Sequence, residues 1–218
     1  MTAKECSVPG SSFRASAMPD QEASVVSRGA LPQFAGLSHL CIVVDYIRTA
    51  VDYYGQLLGA EPDYGLPYWQ NEGFFQINGV CQTPDEGEVS VAVLRVPGTG
   101  LTLHLVQYHT PIGQKEPAPS APNDVNGVRS VALEVVNLEE AAAHLQTMPD
   151  VSFSTKQQGA GVIPLSQTGP EQVCFFDQDL SKADTRSVDT ARRISRTRGL
   201  SFQDRYGVRW EFLHSDIP

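Results

Sequence analysis

The pattern of apolar and polar residues predicts short strands separated by turns. Short apolar runs rich in β-branched or aromatic residues and bounded by Gly, Pro, Asp or Asn are typical of buried strands. In the first half of the chain, such runs cover 37–44, 74–77, 89–96 and 101–108. In the second half, they cover 128–136, 173–176, 200–202 and 208–213.

Two helices are predicted, each directly after the first strand of its half. Apolar residues after Asp45 recur on one helical face until Gly59, at Ile47, Val51, Tyr54 and Leu58. We expect Asp45 to be the N-cap and Gly59 to end this helix. The second helix follows Asn137, with Glu140 three residues later as in a capping box.

The two halves repeat the same succession of elements. His39 and Ser130 lie 91 residues apart, and Asp45 and Asn137 lie 92 residues apart, so the first strands and the caps are in register. A repeat of this kind predicts an α+β fold of two βαβββ modules in one chain. We place these modules at 35–110 and 127–218.

Three segments stand outside the repeat. Residues 1–34 show neither the helical nor the strand period, which predicts a disordered, mobile tail. Residues 111–126 contain four prolines and form a predicted linker. An insertion near 178–198 in the second module contains a cluster of arginines, Arg192, Arg193, Arg196 and Arg198. This cluster is either a solvated surface or a basic flap over an anionic substrate.

Charge and cysteine content narrow the class of protein. The chain of 218 residues has 16 Lys and Arg against 25 Asp and Glu, a net charge of −9, which disfavours nucleic-acid binding. Its four cysteines show no CxxC spacing, which suits a reducing compartment. There is no apolar run long enough to span a membrane and no signal-peptide core. We expect a cytoplasmic protein that does not bind membranes.

Several motifs together resemble one family. These are a histidine in the first strand, a helix ending in YYGQLLGAEP, a final FQDRYGVRWEFL, and the βαβββ repeat itself. They resemble the vicinal oxygen chelate superfamily, which includes glyoxalase I, bleomycin resistance proteins and extradiol dioxygenases. The resemblance covers about residues 36–214. It implies that each module curls its sheet into half of a cup, so that one curved mixed-sheet cup forms.

The resemblance also implies a metal site. In this family the ligands come from the first and fourth strands of each module, which here places His39, His104 and Glu211 at ligand positions. Ser130 occupies the fourth position and departs from the usual His or Gln. The implied cofactor is a divalent metal, for which Fe, Mn, Zn, Ni and Co are all candidates.

Physical chemistry supports these three residues as ligands. His39 and Glu211 interrupt otherwise apolar strands, where an unpaired polar group costs about 2 kcal/mol or more. A shared metal ion satisfies all three side chains. Two imidazoles and one carboxylate match the ligand set of non-haem Fe(II) sites and also bind other divalent metals.

The reaction implied by the resemblance is metal-assisted. The ion would bind adjacent oxygens of a small-molecule substrate and stabilise an enolate-like anion, in an isomerase, epimerase or lyase reaction. Glu211 is the candidate catalytic residue that moves the proton. The family also favours a homodimer, although two modules in one chain can suffice.

Substrate-binding candidates surround the predicted cup. An aromatic lining would suit a flat, apolar, oxygen-bearing substrate. The aromatic candidates lie in the first module, and the polar candidates are spread over both modules: Tyr68, Trp69, Phe75, Arg95, Ser130 and Arg209.

Two alternatives remain open on sequence grounds. A non-haem Fe(II) dioxygenase uses the same types of ligand, although ring-cleaving enzymes take them from other strand positions. A metal-free binding or resistance protein would use the cup without metal, and the departure at Ser130 is compatible with it.

Overall fold

The computed structural model describes most of the two predicted modules. It covers residues 36–80, 83–113, 128–153, 161–173, 175 and 184–216. The predicted tail 1–34, most of the predicted linker and the first part of the predicted insertion lie outside the described residues.

The first half of the chain forms a four-stranded sheet with two helices. Its elements are β1 (Leu40–Val43), α1 (Ile47–Leu58), β2 (Glu61–Trp69), α2 (Glu72–Asn78), a 3-10 turn (Pro84–Glu86), β3 (Glu88–Val96) and β4 (Leu101–Thr110). The strand order is β1-β4-β3-β2, with β1 parallel to β4 and the other pairs antiparallel.

The second half repeats this plan with longer connections. Its elements are β5 (Val131–Glu134), α3 (Leu138–Thr147), β6 (Ser152–Phe153), β7 (Ile163–Pro164), a 3-10 turn (Pro170–Gln172), α4 (Asp184–Arg196), β8 (Thr197–Gln203) and β9 (Arg209–Ser215). The order is β5-β9-β8-β6, with β7 also paired to β8. Because β5 runs parallel to β9 as β1 does to β4, the predicted α+β fold and its repeat are confirmed.

The helix ends show which capping predictions are right. Gly59 ends α1 in the left-handed conformation, and the Asn137 side chain accepts a hydrogen bond from Glu140 N at 3.1 Å, both as predicted. Asp45 is not the N-cap, since its carboxylate accepts from the adjacent Tyr46 N. The first helical amide, Ile47 N, donates instead to Gln107 Oε1 at 2.8 Å, a partner on β4 that no local pattern reveals.

The predicted strand 74–77 is wrong, because this segment lies in α2. The Asn71 side chain accepts from Phe74 N at the start of this helix, and Gly79 ends it at φ 62°. The second strand of this half is β2. It contains Pro62 and Pro67, and prolines are not typical of a strand in the sequence pattern. Both prolines are tolerated because β2 lies at the edge of the sheet.

The predicted strand 173–176 is also wrong at the two of its residues that the structure describes, 173 and 175. Val173 follows directly after the second 3-10 turn, and Phe175 has no regular structure. Cys174 and Phe176 lie outside the described residues. In the region of the predicted insertion, α4 leads directly into β8.

One apolar core joins the two halves of the chain. It combines residues of α1 and the first sheet with residues of α3, β8 and β9, among them Tyr54, Leu57, Leu138, Trp210 and Phe212. A smaller cluster lies on the other face of the first sheet, where Phe75 packs on Val89, Val91, Val93 and Val106. The first sheet is therefore covered by α1 on one face and by α2 on the other.

Asp204 links α1 to the second sheet at the centre of the core. Its buried carboxylate accepts hydrogen bonds from Tyr54 Oη at 2.8 Å, Trp210 Nε1 at 2.9 Å, and the amides of Tyr206 and Val208. Burial raises the pKa of the Asp204 carboxyl, and the four donors partly offset this effect. These contacts fix how the two sheets are placed relative to each other.

Candidate metal and substrate site

Two histidines meet on the face of the first sheet that carries α2. His39 immediately precedes β1 and His104 lies within β4, the parallel neighbour of β1. Their rings stack with centroids 3.6 Å apart and planes 8° apart. Cys41 is the register partner of His104 and lines the same cavity. The pairing of β1 with β4 thus brings together two residues that are far apart in sequence.

Neighbouring groups orient the ring of His39 and favour the neutral form of His104. Ser38 Oγ hydrogen-bonds His39 Nδ1 at 2.9 Å, which orients the ring and leaves Nε2 for another partner. Burial, together with the neighbouring His39, lowers the pKa of His104. His104 therefore remains in the neutral, metal-binding form to a lower pH than an ordinary histidine.

A cavity of about 360 Å³ extends from the histidine pair. Its wall comes mainly from β2, α2, β3 and β4. The lining residues are His39, Cys41, Tyr64, Leu66, Trp69, Phe74, Ile77, Asn78, Val91, Val93, His104 and Val106. Among these, the two imidazoles are the strongest candidate ligands, and most of the others are apolar.

The aromatic wall of the cavity is anchored by Phe75. This side chain is fully buried beneath α2, and its neighbour Phe74 contacts Trp69 with ring centroids 5.4 Å apart. A Cβ atom at Gly87 would lie 2.5 Å from the Phe75 ring, so the close approach of this loop requires glycine. Phe75 therefore anchors α2 to the sheet and to the loop at Gly87.

Glu211 lies in the other sheet. It is half-buried in β9, between its register partners Ala132 and Ser201, while its sequence neighbours Trp210 and Phe212 point into the core. The alternation along a strand turns Glu211 to the opposite face. Within the described parts of the chain, no three His, Cys, Asp or Glu residues come together in a group that could hold a metal ion. A single chain therefore brings the two histidines together but not Glu211.

The predicted aromatic contacts occupy three different environments. Trp69 lines the cavity, whereas Phe75 supports the wall from beneath without lining it. Tyr68 is 68% exposed and stacks on His109, whose Nε2 hydrogen-bonds Ser90 Oγ at 2.8 Å.

The predicted polar contacts do not line this cavity. Arg95 is exposed near the end of β3 and approaches Asp63 to 4.0 Å. Ser130 and Arg209 are half-buried in the second half of the chain. Ser130 immediately precedes β5, just as His39 immediately precedes β1, so the repeat places the two residues at equivalent positions.

Sequence reasoning missed Ile77 and Asn78 as lining residues because it placed 74–77 in a strand. The signals that could have found them are the caps: Asn71 before the apolar run and Gly79 after it. A buried strand would make Cys41 a packing residue, but Cys41 is exposed and lines the cavity. The structure places it on the exposed face of β1, and partial burial raises the pKa of its thiol.

No helix in the part of the chain that the structure describes is long and apolar enough to cross a membrane.

Three solved structures that match the chain are compared by sequence identity, TM-score and coverage of each chain. A glyoxalase family protein from Bacillus cereus is 13% identical, with a TM-score of 0.56 over 85% of this chain and 97% of that chain. A glyoxalase/bleomycin resistance protein/dioxygenase domain from Frankia is 13% identical, with a TM-score of 0.47 over 84% and 99%. The fosfomycin resistance protein FosX from Listeria monocytogenes, in complex with Mn(II) and sulfate, is 10% identical, with a TM-score of 0.43 over 85% and 96%.

The family assignment rests on a family model. No curated protein matches the chain. The model described as the glyoxalase/bleomycin resistance protein/dioxygenase superfamily matches residues 36–161, more than half of the chain. This match agrees with the repeated modules and with the fold shared with the Bacillus cereus protein. The chain belongs to the glyoxalase/bleomycin resistance protein/dioxygenase superfamily.

Proposed function

We propose that this protein is a divalent-metal-dependent enzyme that acts on a small oxygenated substrate, in an isomerase, epimerase or lyase reaction. The observation that carries the proposal is the stacked pair of His39 and His104, which lines a largely apolar cavity. Two imidazoles side by side provide a partial ligand set, and the cavity leaves room for a substrate beside them.

The donor set fits a divalent transition metal. Neutral imidazoles suit Zn, Fe, Ni and Co, and Ser38 orients the His39 ring as an outer-shell partner. A bound ion would act as a Lewis acid on substrate oxygens. The two rings would hold the ion, and the apolar wall would exclude water from the substrate.

We propose Glu211 of a second copy of the chain as the third ligand. Within one chain, Glu211 lies in the other sheet and joins no group with the histidines. The histidine face is open at β1, where Val43 is 57% exposed and Cys41 is also exposed. A two-fold pairing that places the second sheet of one copy against this face would complete two equivalent sites.

Glu211 would then also serve as the proton-transfer group. A carboxylate at the metal can remove a proton next to the substrate oxygens and return it at the neighbouring position. In the described structure, Glu211 is half-buried and points away from the core, which leaves its carboxylate available to a partner.

Proton exchange tests this proposal. 2-Hydroxyacetophenone in D₂O should lose its C–H signal by NMR with the Zn²⁺-loaded protein, and Glu211→Gln should slow the exchange by about 100-fold or more. Glu140→Gln, an exposed carboxylate on α3, is the matched control and should leave the rate unchanged. Exchange that persists in Glu211→Gln would contradict the proposed role. Oxygen uptake with catechol and Fe²⁺, without such exchange, would favour the dioxygenase alternative.

A metal-free binding protein is the second candidate function. The observation that favours it is that the described residues of one chain bring two histidines together but form no group of three His, Cys, Asp or Glu residues that could hold a metal ion. In that case, ligand affinity would be the same with and without added metal, and His104→Ala would retain it.

A further inference from the structure

We propose that α2 defines the substrate class, and that the substrate carries a neutral aromatic or compact apolar body beside its oxygen atoms. This inference rests on the proposed function, because it concerns the same cavity. Its basis is the composition and packing of the cavity wall that accompanies the histidine pair.

The wall offers apolar contacts and hardly any polar ones. Away from the histidines it is formed by Trp69 and Leu66 of β2, Phe74 and Ile77 of α2, and valines of β3 and β4. None of the described lining residues is Lys, Arg, Asp or Glu. A charged group on the substrate body would lose its hydration there without gaining a partner, which disfavours phosphonate-like or carboxylate-bearing bodies.

Two apolar side chains of the wall are exposed. Ile77 is 88% exposed and Tyr64 is 55% exposed, and both line the cavity. A ring that packs against these side chains would remove this apolar surface from water. The cavity volume of about 360 Å³ is at the lower end of the range for small-molecule pockets, which suits a compact substrate.

The wall is formed before a ligand binds. Phe75 is fully buried under α2, and both ends of the helix are capped, by Asn71 and by the left-handed Gly79. A wall already in place loses little conformational entropy on binding, so its shape can select among substrates.

Two hydroxamates with the same chelating group test the proposal. Benzohydroxamate and acetohydroxamate bind metals through identical adjacent oxygens and differ by a phenyl ring in place of a methyl group. Their affinities for the full-length, Zn²⁺-loaded protein can be measured by calorimetry and by quenching of Trp69, since the other tryptophan, Trp210, is fully buried. We expect benzohydroxamate to bind about tenfold tighter or more.

A positive charge introduced at Ile77 should change the affinities for a neutral and an anionic ligand in opposite directions. Ile77→Lys should weaken benzohydroxamate binding and strengthen binding of 4-carboxybenzohydroxamate, while acetohydroxamate binding stays unchanged. Gln76→Lys places the same charge on the same helix but outside the cavity lining, and should alter none of the three affinities. Since both positions are exposed, neither variant should unfold the protein.

The outcomes separate this inference from the metal proposal. If Zn²⁺ does not bind, the metal proposal fails, and the substrate class is still tested by phenyl-dependent quenching of Trp69 in the metal-free protein. Equal affinity for benzohydroxamate and acetohydroxamate, or identical effects of Ile77→Lys and Gln76→Lys, would overturn the role of α2 whether or not metal binds.

Discussion

Asp204, in the sequence motif FQDRYG, joins the two halves of the chain through its hydrogen bonds. This carboxylate has four donors, of which Tyr54 comes from the other half of the chain. Arg205 adds ion pairs to Asp45 at 3.6 Å and to Asp150 at 3.8 Å. These two ion pairs are partly exposed and contribute little to the free energy of unfolding. Loss of a hydrogen bond to the buried Asp204 carboxylate should lower that free energy more.

Tyr54→Phe should therefore lower the free energy of unfolding by about 1–3 kcal/mol, because it leaves a buried carboxylate without one donor. Urea denaturation measures the change. The matched control is Tyr46→Phe, since Tyr46 is 52% exposed, and its stability should stay within about 0.5 kcal/mol of the wild type. Equal stability of the Tyr54 variant and the wild type would show that the bond does not stabilise the fold.

The hydrogen bond between Tyr54 and Asp204 also makes the stability of the fold depend on pH. Burial and the nearby Asp204 raise the pKa of the Tyr54 phenol above its ordinary value, so the unfolded chain loses this proton first. The contribution of the protonated Tyr54 to the free energy of unfolding is fully present below about pH 10. As the pH rises further, this contribution falls by about 1.4 kcal/mol per pH unit. The difference in stability between wild type and Tyr54→Phe should shrink over this range.

At the scale of elements, α2 links the fold to ligand selection. Its position depends on Phe75, which packs between the helix and β3 and touches the loop at Gly87. Moving this one side chain would shift Phe74 and Ile77, the residues that line the cavity.

Gly87→Ala tests this dependence, because its new Cβ would lie 2.5 Å from the Phe75 ring. We expect a loss of about 1–3 kcal/mol in stability from overpacking, together with a changed Trp69 emission. Gly113→Ala is the matched control, since a Cβ there meets no atom within 4 Å. If both variants behave like the wild type, Phe75 does not anchor the wall.

Elements with a clear period could be predicted from the sequence, whereas elements defined by distant partners could not. The apolar runs located β1, β3, β4 and β9, and the stripe with Gly59 located α1. The segment 74–77 was too short for its period to distinguish strand from helix. The start of α1 depends on Gln107, which is 60 residues away.

The proximity of His39 and His104 could be predicted from the family pattern, but the placement of Glu211 in the other sheet could not. The histidine positions follow from the family pattern, and the structure places their rings 3.6 Å apart. The position of Glu211 relative to them depends on how the sheets pack through Tyr54 and Asp204, a contact 150 residues apart. No local pattern encodes such a contact.

Over the whole molecule, the candidate ligands of one chain lie on two separate sheets. The histidine pair lies on the first sheet and Glu211 on the second, on faces that turn away from their shared core. We propose that two copies combine these faces, so that His39 and His104 of one copy and Glu211 of the other hold a divalent metal.

The Zn²⁺ content of a mixture of two variants tests whether the metal site is shared between two copies. His39→Ala and Glu211→Ala should each bind little Zn²⁺ alone, whereas His144→Ala, an exposed control, should bind it normally. After subunit exchange, an equal mixture of the first two variants should recover about one quarter of the wild-type content, because half of the dimers are mixed and each holds one intact site. No recovery in a mixture shown to exchange subunits, or full metal content in either variant alone, would contradict the claim.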